Sequence, residues 1–216
     1  MQTLDETTTI PSQFTAVEQA EIDEFCAVYG NNLESEEAIW ALADESTGET
    51  LLHQVAGSAS VCVIKFLVSR GATVDITSFL DRTPLHYAAG YNPNVEVLQY
   101  LVSQGADVNT SDNDWCTPLH YAAKNNANAE VVKYLVSEGA DVHAKNEDGL
   151  TPLHMAVENN SNVEVVKCLV SLGADINAQY KNFMTPLQTA AFNSNVEVVT
   201  FLVSQVADVH EKKKRR

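Results

Sequence analysis

The sequence has no long apolar run, few cysteines and no Lys or Arg before Lys65. Its longest apolar runs span only a few residues, whereas a membrane-spanning helix needs about 20, so we expect no membrane span. The N-terminus is acidic and rich in threonine, unlike the basic and then apolar start of a secretory signal peptide. Cys26, Cys62, Cys116 and Cys168 form no Cys-x-x-Cys pair, which argues against a zinc site or a disulfide scaffold. We therefore expect a soluble intracellular protein with reduced thiols.

Basic residues are scarce, and they are concentrated at the C-terminus. The 216 residues include 13 Lys+Arg and 29 Asp+Glu, a net charge of −16. The last five residues, 212–216, are all basic; without them and Glu211, residues 1–210 hold eight basic and 28 acidic residues, a charge of −20. Because phosphate binding depends on Lys and Arg, we expect no nucleic acid on this acidic body. A basic partner protein suits it better.

An internal repeat dominates the chain, and such a repeat decides the architecture. The heptapeptide Thr-Pro-Leu-His-Tyr-Ala-Ala at residues 83–89 recurs in similar form at Thr117, Thr151 and Thr185, 34 residues apart each time. A related copy begins at Thr50, 33 residues before the first. A second shared segment comes after every copy. The extra residue of the 34-residue period falls in Asn-rich loops, where we expect insertion to be well tolerated.

Each module predicts a pair of helices. Thr83 is a good N-cap and Pro84 suits the first helical position, so a short first helix begins there, and so short a helix is stable only when it stacks on a neighbour. In the second segment, apolar residues from Val95 to Val102 recur at helical spacing. Gly105 is placed for the left-handed stop of that helix. An extended, hairpin-like loop then leads to the next module.

These modules resemble the ankyrin repeat family. The resemblance rests on the Thr-Pro-Leu-His-x-Ala-Ala motif, a second helix of the Val-Glu-Val-Val-Lys type and a Gly-Ala-Asp-Val-Asn run, in five tandem copies over residues 45–210. It implies an all-α solenoid with β-hairpin loops, in which L-shaped units stack in series. It further implies a protein-binding role, carried by the hairpin tips and by the concave face of the first helices.

We predict a helical cap before the repeats and a basic tail after them. The cap consists of helices at 12–29 and 35–43, and residues 44–49 form the first hairpin. Val206 stands where the other repeats have Gly, so the last helix either runs on or frays. The predicted segments are a flexible N-terminus at 1–11, the cap at 12–44, five ankyrin-like repeats at about 45–77, 78–111, 112–145, 146–179 and 180–210, and the tail at 211–216.

The histidines are the main candidates for chemistry, and their spacing argues against it. His53, His86, His120 and His154 lie one per repeat, on rungs roughly 10 Å apart, which is too far to share one metal ion. The family resemblance implies that they bond with the Thr-Pro-Leu turn. No phosphate loop, nucleophile elbow or metalloprotease motif occurs. We therefore predict no catalytic, cofactor-binding or metal-binding residue, and no enzyme.

The positions that vary between repeats are the candidates for partner binding. They lie at the hairpin tips and directly after each first helix, and two of them are aromatic where the family usually has Gly in the tight turn. Two interpretations of the aromatic side chains stay open, because they could contact a partner or pack hairpin on hairpin. The predicted partner-binding residues are Phe79, Leu80, Arg82, Tyr91, Asn113, Asp114, Trp115, Lys124, Glu147, Asp148, Leu150, Glu158, Lys181, Phe183, Met184 and Phe192.

The leading hypothesis is a non-catalytic adaptor that binds another protein through the hairpin tips and the concave face. The alternative is an acidic inhibitor or immunity-type protein that masks a basic surface of its target through residues 1–50. We expect a monomer in the cytoplasm. The basic tail is either a solvated end or a signal for the nucleus or an anionic surface.

Overall fold

A computed structural model describes residues 14–29, 43–159, 162–193 and 195–214, apart from the side chains at 182 and 207–214. Over these ranges the chain forms eleven α-helices and one short 3-10 helix, and it contains no β-strand. The predicted all-α repeat solenoid is therefore confirmed. The predicted cap helix at 35–43 lies almost wholly outside the described residues.

The helices are arranged along the chain as a single N-terminal helix and five antiparallel pairs. The N-terminal helix is α1 (Ala16–Tyr29), and a 3-10 helix (Lys181–Phe183) precedes the last pair. The pairs are α2 (Leu51–Ala56) with α3 (Val61–Ser69), α4 (Pro84–Tyr91) with α5 (Val95–Ser103), α6 (Pro118–Asn125) with α7 (Ala129–Ser137), α8 (Pro152–Asn159) with α9 (Val163–Ser171), and α10 (Pro186–Phe192) with α11 (Val196–Lys214).

The first helix of each pair begins where the Thr-Pro step predicts. Thr83 is the N-cap, with extended backbone at φ −98°, and Pro84 occupies the first helical position, where no N–H is needed. The backbone N–H of Thr83 donates to Nδ1 of His86 at 3.0 Å. Histidine thus fills the place that Glu or Gln usually takes in a capping box.

The second helices are bounded by asparagine and glycine. Asn94 Oδ1 accepts the backbone N–H of Glu96 at 3.0 Å, which caps α5. Gly105 comes after α5 with φ +100°, a conformation that L side chains rarely adopt, and it ends the helix. At the corresponding place in the last repeat stands Val206, and α11 continues to Lys214. The helix therefore runs on, and it crosses the predicted repeat boundary at residue 210.

The core runs serially along the stack. First helices pack on first helices and second helices on second helices, with α4 against α6 and α6 against α8. Small residues such as Ala88 and Ala122, both 0% exposed, let the helices approach closely. At the N-terminal end α1 packs on α3 and buries Ile22. Each module therefore obtains its buried surface from its neighbours.

Buried asparagines join successive repeats in the loops between the two helices. Asn126 Nδ2 donates to the carbonyl oxygens of Ala89 at 2.9 Å and Asn92 at 2.8 Å. Asn92 makes the equivalent bonds to Ala56 and Ala59. These loops already hold the extra residue of the 34-residue period, and the expectation that they tolerate insertion stays a prediction; a further residue would move a buried donor away from its acceptors.

The loops between modules are linked turns, and no strand pair forms in the described residues. Neighbouring loops are connected by single backbone bonds, such as Asn113 N–H to Leu80 O at 3.1 Å and Glu147 N–H to Asp114 O at 2.9 Å. A second correction concerns the residues placed after the first helices. Each lies in the last turn of its helix; they are Tyr91, Lys124, Glu158 and Phe192.

Candidate functional site

Each hairpin tip is a turn that contains a left-handed residue. In the third repeat, Asp112 Oδ1 accepts the backbone N–H groups of Asp114 at 3.0 Å and Cys116 at 2.8 Å. Trp115 completes this turn with φ +61°. A left-handed residue recurs at the equivalent position of all five tips, whether or not it is glycine. The equivalent residues are Gly48 at +69°, Asp81 at +54°, Gly149 at +81° and Phe183 at +61°.

The aromatic side chains at two tips are exposed. Trp115 is 64% and Phe183 78% exposed, so most of each ring faces solvent. Phe79 is as exposed, at 66%, yet its ring lies over the preceding tip, where a Cβ on Gly48 would come within 2.6 Å of it. Packing of hairpin on hairpin therefore occurs at Phe79, and exposure alone does not decide between packing and partner contact at Trp115 and Phe183. These two residues each present an exposed ring from a left-handed backbone position.

A cleft of about 320 Å³ lies between the second, third and fourth repeats. The hairpin tips form one side of it, and the C-terminal turns of the first helices form the other. Six of the predicted binding residues line it: Arg82, Tyr91, Asp114, Lys124, Glu147 and Asp148. These six combine basic and acidic groups with one aromatic ring, a combination that suits peptide side chains.

The other predicted residues lie outside the lining of this cleft. Trp115 stands between two residues that line it, Asp114 and Cys116, so its ring projects from the rim. Phe183 borders a separate concavity of about 490 Å³ with His143 and Lys145. The predicted partner-binding residues are therefore divided between the cleft and other parts of the surface. The residues outside the cleft lining are Phe79, Leu80, Asn113, Trp115, Leu150, Glu158, Lys181, Phe183, Met184 and Phe192.

Several of these residues have structural partners that tie the tips together. Asn113 Nδ2 donates to Phe79 O at 3.1 Å. Lys181 forms an ion pair with Asp148 across the fourth and fifth tips. Leu150 contributes its carbonyl oxygen, which accepts from a ring nitrogen of His120 at 3.1 Å.

Two residues of the lining, Arg82 and Tyr121, contact a buried carboxyl group, Asp112, which sequence reasoning missed. The side chain of Asp112 is 2% exposed and lies 3.5 Å from Arg82 Nε. Tyr121 Oη donates to Asp112 Oδ2 at 2.7 Å, and the Arg82 guanidinium lies over the Tyr121 ring, 5.6 Å from its centre. Burial and then the bond to Asp112 raise the pKa of Tyr121. Arg82 therefore contacts both Asp112 and Tyr121, while its Nε is buried without a hydrogen-bond partner among the described residues.

Besides Tyr121, the missed residues of the lining are Cys116, His120, Asn125, Asn146 and Met155. Tyr121 and Met155 occupy the variable position after the motif histidine, so their variation between repeats was an available signal. Asp112 and Asn146 each begin a tip turn, and their side-chain oxygens accept the turn's N–H groups. At the fifth tip this position is Tyr180, and the turn there is a 3-10 helix.

The cleft offers no free base or nucleophile among these groups. His120 Nδ1 accepts the backbone N–H of Thr117 at 3.1 Å, so its Nε2 carries the proton and donates to Leu150 O. The Cys116 thiol is buried, and burial raises its pKa to about 11, which keeps it protonated at neutral pH. Neither the His120 ring nor the Cys116 thiol is therefore a free base or nucleophile.

The other motif histidines show the same pattern. His53 and His86 accept the N–H of the preceding threonine through Nδ1 and reach the next hairpin through Nε2, at Arg82 O (2.9 Å) and Cys116 O (3.1 Å). Burial lowers the pKa of His86 to about 4. The bond with the Thr-Pro-Leu turn that the family resemblance implies is therefore confirmed.

Two further properties of the described residues bear on function. In the part of the chain that the structure describes, no group of three His, Cys, Asp or Glu side chains is arranged to hold a metal ion. Across the same residues, no helix combines the length and apolar character that crossing a bilayer requires.

Comparison with known families agrees with this architecture. The model of the family described as ankyrin repeats matches residues 25–112, 52–146, 92–180 and 119–213. The chain belongs to the ankyrin repeat family. Ankyrin repeats are generally protein–protein interaction modules, and the family is typically non-catalytic. A comparison with curated proteins finds no match. The cleft and the rim of this ankyrin-repeat chain therefore lie on a scaffold that generally binds proteins.

Proposed function

We propose that the chain is a non-catalytic adaptor that binds a partner protein through its cleft and hairpin tips. The observation that carries the proposal is Trp115, which is 64% exposed in a left-handed conformation at the rim of the cleft. Tryptophan is among the residues that dominate binding hot spots. A ring in this place can anchor a partner whose side chains enter the cleft.

Folding gives no reason for tryptophan at this position. The left-handed conformation costs an ordinary L residue about 1–2 kcal/mol, and an exposed ring recovers little of that cost by packing. Gly149 occupies the same turn in the next repeat without the cost. A strained, exposed aromatic residue beside a cleft supports a binding role.

The charge of the chain supports a basic partner. With −20 over residues 1–210, the body attracts a basic surface over long range and speeds the encounter at low salt. Asp114 and Glu147 line the cleft and add local attraction for a Lys or Arg side chain. Raising the ionic strength should weaken the complex; an affinity independent of salt would contradict this part of the proposal.

The substitution Trp115→Gly tests the proposal with two opposite expected effects. A partner is first captured from source lysate with the immobilised chain, and its affinity is then measured by calorimetry. We expect Trp115→Gly to weaken binding at least about tenfold, while the free energy of unfolding rises by about 1 kcal/mol because strain is relieved. Val28→Ala, at a residue 74% exposed on α1, is the control and should leave affinity unchanged. Unchanged affinity in Trp115→Gly would refute the role of the rim.

The inhibitor hypothesis remains the alternative. It depends on residues 1–50, of which 1–13 and 30–42 lie outside the described residues. Deleting residues 1–13 leaves α1 intact, so loss of partner binding in that variant would favour acidic mimicry over the cleft.

The proposed location is the cytoplasm, with access to the nucleus through the basic tail. Fluorescent fusions with and without residues 212–216 test it. If both fusions were distributed equally between cytoplasm and nucleus, the tail would not act as a localisation signal, and it would be only a solvated chain end.

A further inference from the structure

Two ion pairs at the cleft join charges of the chain itself. Arg82 pairs with the buried Asp112, and Lys181 pairs with Asp148 across the fourth and fifth tips. A charge that already faces its opposite has less to offer a partner, because the partner would have to compete with the existing pair. The charges that direct binding are therefore those of the lining that form no ion pair.

Three charged side chains of the lining form no ion pair with any residue that the structure describes. They are Asp114, Lys124 and Glu147, and all three are exposed. Glu158, which stands at the equivalent place to Lys124 in the next repeat, lies outside the lining and forms no ion pair with it either. Each of the three charges is thus available to a ligand in the cleft.

The three charges lie on opposite walls of the cleft. Asp114 and Glu147 belong to the third and fourth hairpin tips, whereas Lys124 lies in the last turn of α6 on the helix side. The cleft therefore has a negative wall and a positive wall, although the chain as a whole carries −16. Salt screens exposed charges beyond about 8 Å at physiological ionic strength, so a ligand inside the cleft meets chiefly these local groups.

We infer that the cleft selects an extended segment of the partner in which basic and acidic side chains alternate. The inference rests on the proposed adaptor function and names the sequence class that the cleft recognises. Successive side chains of an extended chain point to opposite sides. Two basic residues at positions i and i+2 then face Asp114 and Glu147, while the acidic residue between them faces Lys124. A purely basic segment would leave Lys124 without an opposite charge.

The length of the cleft and an available amide suit an extended chain. The lining comes from three successive repeats, and at about 10 Å per repeat the cleft runs roughly 20 Å along the stack. That is the length of about six extended residues. Asn125 is exposed in the lining, and no hydrogen bond of its side chain is found within the described part of the chain. Its amide can donate to and accept from the backbone of such a segment.

Two blocked pentapeptides separate this recognition from general attraction to an acidic body. The first is acetyl-Leu-Lys-Glu-Lys-Leu-amide, and the second has Gln in place of Glu and so carries one more net positive charge. Each is titrated into the isotopically labelled full chain, and NMR amide shifts give the dissociation constant. Net charge alone favours the glutamine peptide. We expect the glutamate peptide to bind about threefold more tightly, with shifts at residues that line the cleft.

Lys124→Gln should abolish this preference, so that the glutamine peptide binds at least as tightly as the glutamate peptide. Lys133→Gln is the matched control, because it removes the same charge from α7, where Lys133 pairs with Glu130 outside the cleft lining. It should leave the preference unchanged. Circular dichroism verifies that both variants fold.

Equal or tighter binding of the glutamine peptide to the wild-type chain would overturn the inference. So would an equal loss of preference in the two variants, or the absence of shifts in the cleft with both peptides. These outcomes are distinct from a failure of the adaptor function, because Trp115→Gly tests that function with the captured partner and without either peptide.

Discussion

The third and fifth repeats share one sequence pattern, but the third satisfies it more completely. In the third repeat His120 bonds both Thr117 and the next hairpin, and Asn126 donates to two buried carbonyl groups. In the fifth repeat Gln188 replaces the histidine, Val206 replaces the glycine, and the outer face is exposed. The hydrogen bonds and the burial of a module therefore depend on the neighbouring module in the stack as much as on its own residues.

The difference between the third and fifth repeats also affects the fourth repeat, which precedes the fifth. In the first three repeats the motif histidine reaches the carbonyl group that precedes the next Thr-Pro step. His154 Nε2 is buried without a hydrogen-bond partner among the described residues. The carbonyl oxygen of Met184 accepts a backbone N–H from its own tip, as the equivalent oxygens of Arg82, Cys116 and Leu150 also do, so that bond does not distinguish the fifth tip. What differs there is the first residue of the turn, Tyr180, and the 3-10 conformation. The unsatisfied histidine nitrogen accompanies this altered tip.

We expect the largest effect from removing the asparagines that join successive repeats, at Asn126 in the third repeat and Asn193 in the fifth. We call this series of asparagines the asparagine ladder. Asn126→Ala removes two bonds to buried carbonyl groups and the acceptor of Asn128 N–H, so we expect a loss of about 3–5 kcal/mol in the free energy of unfolding. Asn193→Ala removes an exposed bond to Glu158 O at 2.9 Å and a longer, partly buried one to Val157 O at 3.4 Å, and it should cost about 1 kcal/mol. Urea denaturation measures both. Equal losses would show that the interior and terminal ladders do not differ.

The next effect is the pH dependence that the motif histidines create. Burial lowers the pKa of His86 to about 4 in the folded chain, whereas the unfolded chain protonates near pH 6.5. The folded state is therefore fully favoured above pH 6.5 and loses on the order of 3 kcal/mol from this group as the pH falls to 4. The lowered pKa values of His53, His120 and His154 act in the same direction.

His86→Gln is the matched variant, because Gln188 makes the same bond to a threonine N–H in the fifth repeat, at 2.9 Å. Glutamine does not titrate, so the variant should lose less stability than the wild type between pH 6.5 and 4. Parallel stability curves for the two proteins would contradict the assignment.

The smallest effect concerns the stop of the last helix. Val206→Gly restores the residue that ends the other second helices, so we expect α11 to end near Ser204. The helical signal in circular dichroism should fall by about ten residues, while thermal stability changes by less than about 1 kcal/mol. An unchanged helical signal would mean that Gly is not what stops α5, α7 and α9.

Local features were predictable because they depend on neighbouring residues in the chain. Thr83 and Pro84 set a helix start, Gly105 sets a stop, and Val206 removes one. The Asn126 bonds were not predictable in the same way, since the acceptors are 34 and 37 residues away and come within reach only when modules stack. The buried Asp112 was missed for a related reason, because its partner Arg82 belongs to the preceding hairpin.

The amino-acid sequence by itself determined the period, the helix boundaries and the serial stack, since short helices with one apolar face must pack on their neighbours. Only the tertiary structure decided which variable residues share a cleft and which stand apart. Tyr91 and Asp114 both line it, whereas Trp115 lies outside its lining and is 64% exposed. Side-chain direction at a turn depends on backbone angles that the residue type does not fix.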